Sequence, residues 1–271
     1  MTRSNDELQR YVLPTGSTGR ERLRVLARAT EAGTGRLLDE VGVAAGMACL
    51  DVGCGAGDVA RLLAERVGAT GRVLGVDLDA ALVAIAAGEA AALGLAQLAY
   101  RPGSALALAE TGFDIVYARF LLTHLREREA VIARMLGALR PGGAIVLEDI
   151  DFAGHFAFPE LAELDAFCRL YTALTRSTGG DAEIGRAVPS LLRRAGLRDV
   201  EVRISQPASF TGEAKLITVR TMQGIAARVV DVGLATAAEV EHIIAALERA
   251  AADPDVLMGM PRIVQAWGRK A

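Results

Sequence analysis

Few features of this chain point to a metal centre, a disulfide scaffold, a polyanion-binding surface or a membrane span. Its three cysteines, Cys49, Cys54 and Cys168, are odd in number and lack metal-ligand spacing, which argues against a disulfide framework and suits a reducing compartment. No other grouping of His, Cys, Asp and Glu has convincing ligand spacing, so no metal is expected. Basic residues are not in surplus: the net charge is −3 and the pI is near 5.7. Phosphate backbones are neutralised by clustered Lys and Arg, so a broad nucleic-acid footprint is not expected. The excess of arginine over lysine reads as compositional bias rather than function. Long apolar runs are missing too. The longest, 80–88, stops at Glu89 and is too short to cross a bilayer. No basic-plus-apolar leader opens the chain, so a cytoplasmic protein is expected. There is no internal repeat and no low-complexity tract beyond alanine-rich helical segments.

With 271 residues, 52% of them apolar and 23% charged, the chain predicts a soluble globule: one large α/β domain with an elaboration, or two modest ones. Its most informative stretch is Leu50-Asp51-Val52-Gly53-Cys54-Gly55-Ala56-Gly57-Asp58. A short apolar strand, 48–52, runs into three alternate glycines, and a helical pattern (Val59, Leu62, Leu63, Val67) begins at once. Such a turn lacks β-carbons where a ligand must come close. A second strand, 72–76, ends at Asp77, where a carboxylate can accept hydrogen bonds from both hydroxyls of a ribose held over the turn. Asp51, two residues before Gly53, can meet an ammonium group or organise the amides of its own turn. The spacing Gly-Cys-Gly-Ala-Gly is not the GxGxxG of a pyrophosphate-binding dinucleotide fold, which argues against a dehydrogenase.

Further βα units follow: a helix over 80–93, a short strand over 96–102, a strand over 114–117 with a helix over 126–139, and a strand over 144–148. This alternation predicts a parallel sheet with helices on both faces and a ligand beyond the strands' carboxyl ends. Before it, the turn-rich segment 14–19 breaks any early helix, and 20–41 predicts two helical stretches hinged near Gly33-Thr34-Gly35. After it come helices over 160–177 and 182–195, a strand over 200–204, a helical insertion over 212–252 and a closing strand over 262–268.

The segment Leu139-Arg140-Pro141-Gly142-Gly143-Ala144-Ile145-Val146-Leu147 completes the motif set. Together with the glycine turn and Asp77, it resembles the class I S-adenosylmethionine-dependent methyltransferases, in the small-molecule branch related to ubiquinone and menaquinone methyltransferases. The matching motifs span about 46–151. The resemblance implies an α/β fold: a Rossmann-like, mostly parallel seven-stranded sheet with helices on both faces and a helical lid. The last strand would insert antiparallel between the fifth and sixth. It also implies an organisation of 1–41 as a helical lid segment, 42–151 as cofactor-binding core, and 152–271 as the rest of the sheet with lid insertions at about 152–180 and 212–255.

S-adenosylmethionine is then the cofactor and S-adenosylhomocysteine the product. Gly53, Gly55 and Gly57 would pass beneath it, Asp77 would hold its ribose and Leu78 would cover the adenine. Ser104-Ala105 stands where the family usually has an Asp and a small residue, so the adenine amino group would meet a hydroxyl, a weaker acceptor than a carboxylate. Arg119 could reach the methionine carboxylate or form an ordinary ion pair. Tyr11 could close over the cofactor or simply pack. For catalysis the candidates are His124, in Leu121-Leu122-Thr123-His124-Leu125, and the strand-end acids Glu148 and Asp149, with Asp151 and His155 nearby.

The expected reaction moves a methyl group to a small, largely apolar organic acceptor, with oxygen favoured and carbon or nitrogen open. No nucleic-acid or membrane partner is expected, and a homodimer is left open. An RNA or protein methyltransferase, and a non-methylating cyclase or binding protein that retains the cofactor, are the alternatives. The lack of a basic tract and of an Asn-Pro-Pro-Tyr type motif argues against RNA.

Overall fold

The strand β1 (Ala48–Val52) is buried beyond its first residue, as a parallel strand covered on both faces must be. The computed structural model describes residues 12–13 and 16–271. Around β1 stand β2 (Arg72–Asp77), β3 (Leu98–Pro102), β4 (Phe113–Arg119) and β5 (Leu139–Asp151), joined by helices α2 (Asp58–Val67), α3 (Ala80–Ala92) and α4 (Arg128–Ala138). The chain then forms β6 (Phe156–Phe158), α5 (Ala162–Ser177), α6 (Val188–Arg194), β7 (Arg198–Ser205), β8 (Ala208–Ser209), α7 (Glu213–Asp231), α8 (Ala237–Ala252), β9 (Leu257–Gly259) and β10 (Arg262–Arg269). A long helix, α1 (Gly16–Val41), precedes them all.

The main sheet has seven strands in the order β3-β2-β1-β4-β5-β10-β7. Its first five strands are parallel. β10 runs antiparallel between β5 and β7, as expected, with Gln265 opposite Glu148 and Arg203. One face of the sheet buries Leu50, Val116, Ile145 and Leu147 against α4 and α6. The other buries Cys49, Ile115, Tyr117 and Val146 against α1 and α2 through Leu38, Leu63 and Val67. A third apolar cluster lies among α5, α7 and α8, where Phe167, Leu174, Met222 and Leu247 join Ile150 and Phe152 from the carboxyl end of β5. Each such fully buried side chain contributes roughly 1.5–3 kcal/mol.

Several expectations are corrected. No hinge divides 20–41, and the helix already runs from Gly16. Gly33 is a place of close approach instead: a β-carbon there would lie 2.3 Å from Ser205 Oγ. Thr34, beside it, is fully buried. The segment 182–195 begins as a single 3-10 turn, Ile184–Ala187, before α6. The helical stretch at 212–252 is two helices, parted at Gly233 (φ +73°) and restarted by the Thr236–Glu239 capping box. A small second sheet, β6-β9-β8, was not foreseen.

Candidate active site

The turn after β1 is built for close approach. Gly53, Gly55 and Gly57 have φ of +73°, +52° and +79°, values that side-chain-bearing residues rarely adopt. At Gly57 a β-carbon would also lie 2.2 Å from the Tyr100 hydroxyl. The Gly53 and Cys54 amides both donate to the Val76 carbonyl, at 2.8 and 3.1 Å, locking the turn to β2. Asp77 completes the lock: its Oδ2 accepts from the Gly55 amide at 2.7 Å and its Oδ1 from the Asp79 amide at 2.8 Å. Each carboxylate oxygen keeps a further lone pair for a ligand. Burial raises the Asp77 carboxyl above the usual range, and the two amide donors partly oppose the shift. Asp79 caps α3 by accepting from Ala81 and Leu82, and its other oxygen accepts from the Gly16 amide that opens α1.

Asp51 is the anomaly of the turn. It is 2% exposed, and among the described residues its Oδ2 has no hydrogen-bond partner. Burial raises its pKa to about 7; the nearby Arg119 charge opposes the shift and Asp77 adds to it. Arg119 donates through one nitrogen to Thr30 Oγ1 at 2.8 Å and Thr34 Oγ1 at 3.1 Å. A carboxylate with a free oxygen and a guanidinium therefore stand close together on one wall.

One cavity of about 230 Å³ runs from this turn to an apolar chamber. It is lined on the turn side by Asp51, Gly53, Gly55, Asp77, Leu78, Ser104, Ala105 and Arg119. On the far side stand Leu26, Phe120, Phe152, Phe167, Ile217 and Met260. Ser104 spends one lone pair on the Leu106 amide at 3.1 Å. Gly57 supports the turn from behind and does not line the cavity. His124 lines the chamber, its pKa lowered to about 3 by burial first and the Arg22 charge second. His155 lines it too, lowered to about 3 by burial and packed edge-on 4.4 Å from the Phe152 ring. Both imidazoles are neutral at physiological pH.

Glu148 and Asp149 are not brought to the cavity, which corrects the expectation for both. β5 continues to Asp151, so these residues lie inside the sheet and not at its rim, each 1% exposed. Glu148 accepts from Thr34 Oγ1 at 2.8 Å, from Gln265 Nε2 at 2.6 Å and from the Tyr117 hydroxyl, tying α1 to three strands. Asp149 accepts from the Leu122 amide at 2.8 Å, the Ile150 amide at 2.9 Å and the Thr123 hydroxyl, which fixes the segment carrying His124. Asp151 is held by Arg186 and Arg262. Tyr11 lies outside the described residues. Among the described residues no group of His, Cys, Asp and Glu is arranged to hold a metal, and no helix is long and apolar enough to cross a membrane.

Two further lining residues stand out. Phe120 holds φ at +54°, a strain on the order of 1–3 kcal/mol, and its amide is pinned to the Glu148 carbonyl at 2.8 Å. Arg22 is 7% exposed and faces the cavity from α1. Its spacing four residues before Leu26, on the apolar stripe, was the available signal.

Residues 49–143 match the family model described as "Methyltransferase domain". Methyltransferase GfsG of Streptomyces halstedii is 32% identical over 195 residues, 70% of this chain and 67% of its own length. A demethylmenaquinone methyltransferase of Staphylococcus aureus is 30% identical over 193 residues, 65% of this chain and 76% of that enzyme. The chain belongs to the class I S-adenosylmethionine-dependent methyltransferases. Other curated relatives are matched over about half of their length. Among solved structures, the Haemonchus contortus phosphoethanolamine N-methyltransferase 2 complex with phosphomonomethylethanolamine and S-adenosylhomocysteine has a TM-score of 0.55 at 18% identity, covering 87% of this chain and 52% of that one. At that identity the likeness is one of fold alone.

S-adenosylmethionine is the cofactor of this methyltransferase, and the residues present fit it. The unpartnered Asp51 oxygen is complementary to an ammonium, the free lone pairs of Asp77 to a diol, and the positive-φ turn between them is open to a nucleoside.

Proposed function

We propose that this methyltransferase acts on a small, largely apolar organic molecule, with a hydroxyl oxygen as the favoured acceptor. The observation that carries the reading is the single cavity joining the Asp51–Asp77 turn to a chamber walled by Phe120, Phe152, Phe167 and Met260. In this reading Asp51 holds the cofactor's ammonium and Arg119 its carboxylate. Asp77 accepts the ribose hydroxyls, Leu78 and Ala105 flank the adenine, and Ser104 takes the weaker polar contact beside it. When bound, the cofactor supplies a methyl carbon activated by a sulfonium whose positive charge disappears on transfer.

The protein's own task is alignment and exclusion of water. The apolar walls desolvate the acceptor. His124, neutral and with its segment fixed by Asp149, stands in the chamber wall where one hydrogen bond can aim the acceptor oxygen. Helix α1 and the helices within 152–180 and 212–255 act as the lid, and the apolar seam of α1 and α7 (Val25, Leu26, Ala214, Ile217), joined by Met260, lies against the chamber. The free cysteines Cys49 and Cys54, both buried, are consistent with a reducing, cytoplasmic setting.

The test is radiolabelled methyl transfer from S-adenosylmethionine to fractionated small-molecule extracts, with a parallel arm on RNA and protein. Label in organic-extractable product supports the reading. Label confined to macromolecules, or none despite tight cofactor binding, would overturn it.

A further inference from the structure

Among the described residues, Arg22 lies at the cavity without a hydrogen-bond or ion-pair partner. Its side chain is more than nine-tenths buried, its Nε is unsatisfied, and no described residue forms an ion pair with it. The acids of the cavity and of the elements packed beside it make their contacts elsewhere, Asp51 alone among the cavity's own acids keeping a free oxygen. Asp58 and Glu89 are bridged by Arg20 and Arg61. Asp77 and Asp79 are bonded to backbone amides, Asp149 to the Leu122 and Thr123 segment, and Asp51 stands beside Arg119. A guanidinium out of water without a counter-charge is costly, and a neutral ligand would leave that cost uncompensated.

We infer that Arg22 is the anchor for an anionic oxygen of the acceptor, so that the substrate is an apolar molecule bearing a carboxylate or an ionised phenol or enol. The inference rests on the reading above, in which the cofactor's own zwitterion is met by Asp51 and Arg119. Arg119 of that pair is bonded further along α1, at Thr30 and Thr34. Arg22 instead belongs to the chamber half, close enough for its charge to disfavour protonation of His124. A planar guanidinium presents a fork of N–H donors suited to an oxyanion. Beside the sulfonium site it would also hold a phenolic or enolic oxygen in its nucleophilic, deprotonated form.

The experiment is calorimetry on protein saturated with S-adenosylhomocysteine, using 2-naphthoate, 2-naphthol and the uncharged isostere 2-naphthamide as probes. Native protein should bind naphthoate about tenfold or more tightly than naphthamide. Arg22→Met should abolish that preference while leaving naphthamide and S-adenosylhomocysteine affinities within about threefold, and Arg22→Lys should keep part of it. Naphthol affinity rising with pH only when Arg22 is present would identify the ionised hydroxyl as the bound form.

Equal binding of naphthoate and naphthamide, or binding of neither, overturns the inference. So does a loss of about tenfold or more in S-adenosylhomocysteine affinity in Arg22→Met, provided that its advantage over the decarboxylated analogue is lost as well. That result would assign Arg22 to the cofactor carboxylate. Arg22→Gln serves as a second variant should the methionine side chain disturb folding. Failure of native protein to bind S-adenosylhomocysteine would appear in the first titration and would overturn the underlying reading instead.

Discussion

Cofactor affinity should fall steeply as the solution is acidified through neutrality, and Asp51 should be the cause. In the unliganded protein the Asp51 carboxyl titrates at about 7, against an ordinary value of 3.8, because it is buried with one oxygen unsatisfied. An ammonium can be received only by the carboxylate, so below neutrality binding must first expel a proton. One unit below the folded value, only about one molecule in ten is ionised, and affinity falls about tenfold, or roughly 1.4 kcal/mol.

The sign for stability is the reverse of that for a salt-bridged aspartate. The folded value is raised, so the unliganded protein loses stability as pH climbs from the unfolded value towards about 7. The loss approaches about 4 kcal/mol, and the cofactor's ammonium recovers it. Calorimetry with S-adenosylhomocysteine between about pH 5.5 and 8.5, in buffers of differing ionisation enthalpy, counts the proton directly. Release of close to one proton near pH 6 is expected. Asp51→Asn should flatten the profile, weaken binding at pH 8 and raise the melting temperature of the free protein there. Asp77, also raised by burial, faces the same cavity, so the asparagine variant is needed to isolate Asp51. An affinity independent of pH, or a slope that survives in Asp51→Asn, would refute the assignment.

Other outcomes follow from the same geometry. Asp77→Ala strands the Gly55 and Asp79 amides and removes the diol acceptor, so S-adenosylhomocysteine affinity should drop about 100-fold or more, read by calorimetry. Glu148→Ala leaves Thr34, Tyr117 and Gln265 without their shared acceptor; urea unfolding should show a loss of about 3 kcal/mol or more. Surviving folded Glu148→Ala protein should lose less than about tenfold in cofactor affinity, because the carboxylate does not reach the cavity and is coupled to Arg119 only through Thr34. Gly33→Ala should cost about 1–3 kcal/mol by pressing on Ser205, and Ser205→Gly should restore much of it, a coupling that a double-mutant cycle measures.

Local chemistry explains which parts of this molecule were legible in its residues. The unit from Ala48 to Val67 was readable because a strand, three positive-φ glycines and an amphipathic helix are each specified by neighbours in sequence. Asp77 was readable for the same reason, although half its work proved to be holding the Gly55 amide. The antiparallel insertion of β10 came from family resemblance, since no local pattern dictates strand order. Gly33 was misread as a hinge because its true constraint, Ser205, lies far along the chain. Glu148 and Asp149 were misplaced because β5 outruns the apolar stretch ending at Leu147 by four residues, carrying acids into the interior, where Thr34, Tyr117, Gln265 and Thr123 satisfy them. No periodicity reveals such partners. Arg22 was overlooked because a charge on an amphipathic helix is normally a solvated one.

The bond between the first amide of α1 and Asp79 has a bearing on the sequence of events during turnover. Asp79 shares a two-residue acidic step with Asp77, so the floor that receives the sugar and the beam that spans the chamber are bolted to one bracket. Filling the nucleoside seat should steady that bracket and with it the beam that carries Arg22. Ordered entry, nucleoside first and acceptor second, is the expected kinetic expression of that single shared fastening, read from product-inhibition patterns.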